Sequence, residues 1–213
     1  MKDKLFGSIG IGSTALTLGG ALLAMAAGKT HELMVDTPAA TMARDLAKPA
    51  STATWIGAYA ELIGCVIFLC FAVWACTKLG SGIWSTIGIA AATAYTALTV
   101  ASLALMDAVS YRAGKGIDLG VARSLVTLNE ALYVTTWFLA ALFLVSASVL
   151  AVGAGRRVLG WTAGGIAAFT LVAAPAFNGV GQASNMLFLA WIVGASIALM
   201  RREPRHAVVP VTA

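Results

Sequence analysis

Six long apolar runs, almost free of charge, constrain this chain more than any motif does. They are Phe6–Gly28, Ala53–Thr77, Gly82–Met106, Leu125–Ala154, Val158–Ala174 and Met186–Met200. An α-helix needs ~20 apolar residues to cross the hydrocarbon of a bilayer. The first four runs meet that length. The last two are short but viable at a slight tilt, and the fourth is long enough to project or tilt strongly. Open strands are excluded because lipid cannot satisfy their backbone groups.

Composition agrees. Hydrophobic residues make up 60% of the 213 positions and charged residues 11%, with a mean hydropathy of +0.88. A soluble domain covers itself with about a quarter charged residues. The expected fold is therefore an all-α integral membrane bundle of six transmembrane helices. It forms a single domain over residues 1–213 in the cell (plasma) membrane, with no room for a separate soluble domain.

Lys2 and Lys4 precede an apolar stretch ending Ala24-Met25-Ala26, a pattern that resembles a signal-peptide cleavage site. The run is long for a signal sequence, and its loss would leave an odd number of spans, so it reads as the first span.

The basic residues set the orientation. With the N-terminus inside, the cytoplasmic side holds Lys2, Lys4, Lys78, Arg156, Arg157, Arg201, Arg202 and Arg205. The other side holds Lys29, Arg44, Lys48, Arg112, Lys115 and Arg123. The excess, with the Arg156-Arg157 and Arg201-Arg202 pairs at span ends, favours both termini inside. The net charge of +5 is scattered over loops and termini rather than gathered in a stripe, so no nucleic-acid partner is expected.

The longest loop, Lys29–Thr52, then lies outside. Thr37-Pro38 reads as a helix start, with Thr as cap and Pro in the first turn. Ala39–Lys48 fits a short amphipathic helix over the bundle mouth, either a plain connector or a lid.

Cys65, Cys70 and Cys76 share one apolar run at spacings unlike a zinc site, and His31 and His206 lie near opposite ends. The thiols read as small core hydrophobes, and neither metal nor cofactor is expected. No Walker A loop, GxSxG elbow, HExxH pair or paired Asp-rich magnesium motif is present. Gly7-Ser8-Ile9-Gly10-Ile11-Gly12 and Gly179-Val180-Gly181 suit helix packing better than phosphate binding.

Three acids lie in or beside the spans: Glu61, Asp107 and Glu130. A carboxyl in hydrocarbon is costly enough that such residues face a cavity, pair with a partner or stay protonated. By depth, all three converge on the outer third of the bundle. Around Glu61 the helical neighbours Gly57, Ala58, Gly64 and Cys65 are small, which permits close helix approach or leaves space beside the carboxyl. Glu130 shares a face with Thr127, Tyr133 and Trp137. Trp55, Tyr59, Tyr95 and Tyr111 are assigned to the outer halves or ends of their spans, with Asn129 and Asn178 as polar lining. The same placement has plainer readings. Trp and Tyr favour the membrane interface, Asp107 could pair with Arg112 or Arg123, and Glu130 suits a helix N-terminus.

The run Ile56–Trp191 resembles a widespread group of actinobacterial six-span membrane proteins of unassigned function. It does so through Ala58-Tyr59-Ala60-Glu61-Leu62-Ile63-Gly64, Tyr111-Arg112-Ala113-Gly114 and Leu128-Asn129-Glu130. More loosely, it is similar to the integral-membrane terpene cyclases of meroterpenoid and indole-sesquiterpenoid pathways. Those compact bundles use embedded acids to protonate an alkene or epoxide. The resemblance implies that Glu61 is the early acid. Fungal members carry a late acid where Asn178 and Asn185 stand here, so Asp107 or Glu130 would take that role.

Three functions follow as expectations. The first is a membrane cyclase or isomerase acting on a lipophilic prenylated small molecule, with membrane lipid as the surrounding partner and the pocket open either to lipid or to water. Glu61 is then the proton donor, Asp107 or Glu130 orients it or accepts the final proton, and the aromatic faces stabilise a cation. The second is a proton-coupled carrier or small channel, and the third a non-catalytic membrane subunit. Oligomeric state is left open.

Overall fold

A computed structural model of the chain describes residues 2–27, 33–173 and 180–201, with side chains from residue 3 and, in the last helix, from residue 183. It is all-helical among these residues. The elements are α1 (Lys2–Ala27), α2 (Ala39–Leu46), α3 (Thr52–Leu79), α4 (Ile83–Arg112), α5 (Leu119–Gly153), α6 (Arg157–Ala173) and α7 (Val180–Met200). Five are long and apolar enough to cross a membrane, and α6 is a shorter apolar helix of 17 residues.

These helices carry apolar residues on every side, the pattern of a helix that meets both protein and lipid. Along α3, Phe68, Phe71, Ala72 and Cys76 face inward while Ile56, Ile63, Val66 and Val73 face outward. Outward Trp161 and Val172 on α6, 73% and 80% exposed, repeat the pattern. Such a surface suits hydrocarbon rather than water.

Helix ends follow local chemistry. Ser51 caps α3 by accepting the Thr54 amide (3.1 Å), and Asp118 caps α5 by accepting the Val121 amide (3.0 Å). At the end of α5 the Arg156 amide reaches the Ala151 carbonyl (2.8 Å) and the Gly155 amide reaches Val152 (3.0 Å). That is a Schellman closure, and Gly155 supplies its left-handed residue at φ +77°. The sharp reversal into α6 depends on it.

The six longer helices form a closed ring in the order α1, α3, α4, α5, α6, α7, with α7 returning to α1. The most intimate seam is α1–α3. A β-carbon on Gly57 would lie 2.5 Å from the Ala24 nitrogen and 2.6 Å from the Gly20 carbonyl oxygen, and one on Gly20 would lie 2.6 Å from the Gly57 oxygen. Gly64 faces Thr17 and Ser13 in the same way, and the Ser13 hydroxyl donates to the Gly64 carbonyl (2.9 Å). Of the two uses open to the small residues around Glu61, Gly57 and Gly64 serve helix approach.

Two apolar clusters divide the interior. One fills the end where α3 finishes and α4 begins, around Phe68, Phe71, Phe143, Phe188, Trp191 and Ile192. The other caps the opposite end, where Leu33, Met42 and Leu46 sit on Met106, Val109, Ala122 and Val126. Helix α2 forms as expected, but not with the expected cap. Pro38 occupies the N-cap position without a side-chain bond, and the Thr37 hydroxyl accepts the Met34 amide (2.8 Å). The α2 segment docks on the mouth through Gly114, whose amide donates to the Leu46 carbonyl (2.7 Å). Gly114 has φ +71°, and a β-carbon there would meet Pro49, so the docking requires glycine.

Candidate functional site

Between the two apolar clusters four helices contribute polar groups: Glu61 and Cys65 from α3, Thr96, Thr99, Ser102 and Asp107 from α4, Asn129, Tyr133 and Thr136 from α5, and Asn185 from α7. Because α4 continues to Arg112, Asp107 lies inside the helix rather than at its end.

Glu61 and Asp107 are close enough to interact electrostatically, and Glu61 also acts on Tyr133, Tyr95 and Cys65. This joins the early acid of α3 to a second carboxyl and two phenols from neighbouring helices. The Tyr133 hydroxyl accepts the Asn185 side-chain amide (3.1 Å), which brings in α7. The Tyr133 ring packs edge-on against Trp137 at 5.4 Å, with Trp137 buried. Ser102 donates to the Asn129 side-chain oxygen (2.6 Å), so Asn129 ties α4 to α5. The buried Thr96 hydroxyl has no hydrogen-bond partner among the described residues. An unsatisfied buried hydroxyl calls for an explanation, such as a ligand or water.

Glu130 belongs to the mouth. Its Oε1 accepts the Val35 amide (2.6 Å), fastening the segment before α2, while Arg123 donates to the Thr37 carbonyl (3.2 Å) beside it. Glu130 is thus placed as a tether for the cap.

The aromatic residues separate into three groups. Tyr133 and Trp137 line the polar layer. Tyr95 lies near the middle of α4, edge-on against Phe68 and Phe188 at 5.5 Å each, and its backbone carbonyl accepts the Thr99 hydroxyl (2.8 Å). It forms the floor rather than an outer wall. Trp55 and Tyr59 pair with each other at 6.4 Å on the outside of α3, where Tyr59 is 61% exposed. Tyr111 is also exposed, beneath the Lys115 ammonium at 3.7 Å from its ring centre. These three suit an interfacial girdle. Asn178 falls outside the described residues. Cys65 and Cys76 are buried as expected, whereas Cys70 faces outward; all three are free thiols.

Two members of the layer were poorly signalled by the sequence. Cys65 looked like filler, and Ser102 had no motif to mark it. Helical spacing places Cys65 one turn from Glu61, the only signal that pointed to it. No known protein family, curated protein or solved structure matches the chain.

Proposed function

We propose that this protein is a membrane-embedded, acid-initiated cyclase or isomerase of a lipophilic prenylated substrate, of the class II terpene cyclase type. The observation that carries the reading is the carboxyl–phenol layer of Glu61, Asp107, Tyr95 and Tyr133, bounded on both sides by apolar clusters. Protonated Glu61 donates its proton to a terminal alkene carbon or an epoxide oxygen. A neighbouring alkene attacks the cation, forming a carbon–carbon bond, and the last cation returns a proton to the Asp107 carboxylate. Product and substrate have the same formula, so no redox partner is consumed. Trp137 and Tyr133 offer ring faces to the developing charge, and the apolar surroundings keep out the water that would quench it. Because Glu130 binds the Val35 amide, Asp107 is the better candidate for the second carboxyl.

In this reading six helices cross the plasma membrane, both termini are cytoplasmic and the polar layer lies toward the outer face. At 1.5 Å per residue α6 extends about 26 Å, close to the ~30 Å hydrocarbon thickness. A carrier needs a polar path to the other side. Below the layer, Phe68, Phe143, Phe188 and Trp191 pack edge to face at 5.6–6.3 Å, an obstacle to such a path.

The test is to incubate purified protein with farnesylated aromatic or cyclodipeptide substrates in D₂O. The expected product has one carbon-bound deuterium and is otherwise isomeric with the substrate, and Glu61→Gln abolishes it. Undiminished product from Glu61→Gln would sink the acid assignment, and proton-linked uptake into liposomes without product would favour a carrier.

A further inference from the structure

On the side of the ring away from α3, helices α6 and α7 part to leave a trench of about 650 Å³. Its walls are apolar, from Val158, Leu159 and Ile166 on α6 to Leu187 and Ala190 on α7, and of these Val158 and Leu187 face outward. The floor is made of small residues. A β-carbon on Gly194 would meet nothing within 4 Å, so this glycine is not used for helix packing and keeps the trench open. Trp191 closes the depth, its indole nitrogen donating to the Leu159 carbonyl (3.4 Å).

One end of the trench is cationic. Arg156 and Arg157 both line it, at the turn between α5 and α6. Arg156 is committed to the frame, donating to the Ala198 carbonyl (2.8 Å) near the end of α7. Arg157 is exposed beside it. The first amides of α6 lie at the same point and add the positive end of the helix dipole. A cation at the head of an apolar groove, ~14 Å long from Arg157 to Ile166 by helical rise, matches an anionic head joined to a hydrocarbon chain. The volume falls within the ~300–1,000 Å³ of small-molecule sites. Basic pockets between spans are suited to phosphate head groups.

We propose that this trench is a binding site for an anionic phospholipid, with its phosphate at Arg157 and one acyl chain along Leu159, Ile166, Ala190 and Gly194. It is separate from the Glu61 layer and does not depend on that layer's chemistry.

The test compares wild-type protein with Arg157→Gln and Gly194→Leu, all purified in detergent. Each is titrated with phosphatidylglycerol, phosphatidylcholine or inorganic phosphate, with retained lipid read by native mass spectrometry and stability by thermal unfolding. Wild type should retain phosphatidylglycerol over phosphatidylcholine and gain thermal stability from it. Arg157→Gln should lower that retention about fivefold, the factor one arginine contributes toward anionic lipid. Gly194→Leu should lower retention of the lipid without lowering the lipid-free melting temperature, because its side chain enters open space and leucine suits a helix better than glycine. Equal retention of both lipids, wild-type retention by both variants, or the same stabilisation by inorganic phosphate alone would each overturn the proposal.

Discussion

Replacing Gly57 by alanine tests the α1–α3 seam, and through it the placement of Glu61, with a single methyl group. The new carbon would lie 2.5 Å from the Ala24 nitrogen and 2.6 Å from the Gly20 oxygen, both backbone atoms that no rotamer change can move. Relief to ordinary contact at 3.4 Å requires α1 and α3 to part by about 0.9 Å. A gap of that size forfeits up to about half the dispersion energy of the contacts it opens. Overpacking of this kind costs about 1–3 kcal/mol, and contact with the α1 backbone at both Gly20 and Ala24 puts Gly57→Ala at the upper end. Alanine regains about 1 kcal/mol over glycine within a helix, leaving a net loss of about 2 kcal/mol. Gly19→Ala is the control. It sits one residue from Gly20 on the outer side of α1 with nothing within 4 Å, so it keeps only the helical gain. The two variants should differ by about 3 kcal/mol in opposite directions, measured by unfolding of the purified protein in mixed micelles. Gly20→Ala combined with Gly57→Ala should cost less than the sum of the two, since both methyls open one gap. Equal stability of Gly57→Ala and Gly19→Ala would refute the close approach.

Other outcomes are equally specific. Glu130→Leu should speed amide exchange at Val35 and along α2 roughly tenfold, as a hydrogen bond to a charged acceptor is lost, while exchange in α3 is unchanged. Phe143→Ala should cost about 3–5 kcal/mol in unfolding experiments, because a side chain 1% exposed leaves a cavity among Phe68, Phe188 and Trp191. Ser102→Ala should cost only about 0.6 kcal/mol, typical of a hydrogen bond between spans. A double-mutant cycle with Asn129→Ala should recover that energy as coupling.

The apolar runs located all six of the longer helices, because a span must be apolar over its whole length and few other segments are. Their ends were less legible. The third apolar run ends at Met106, yet α4 runs on through Asp107 to Arg112, since helical hydrogen bonds continue past the apolar stretch and the helix stops only near Gly114. The beginning of α5 at Leu119 rather than Leu125 has the same cause, with Asp118 supplying the cap. The lid could not be decided from sequence. Its amphipathic face was readable, but the Leu46–Gly114 and Val35–Glu130 bonds join residues 68 and 95 positions apart.

The acids show the same limit at the site. Depth along a span is readable from residue counts, and it gathers Glu61, Asp107 and Glu130 toward one end of the bundle. Direction around each helix is not readable in that way, because an all-round apolar span has no polar face to fix its rotation. The rotation is fixed by packing. Gly57 and Gly64 turn one side of α3 onto α1, so Glu61, four residues from Gly57 and three from Gly64, is set beside that seam and within reach of the charge on Asp107. Glu130 has a different neighbour, the Val35 amide of the capping segment. Three acids at similar depth thus divide into a pair in the polar layer and a tether at its roof. Chemistry that needs two cooperating carboxyls is therefore best assigned to Glu61 and Asp107. It follows that Glu130→Gln, which keeps an oxygen to accept the Val35 amide, should spare any activity that Glu61→Gln removes.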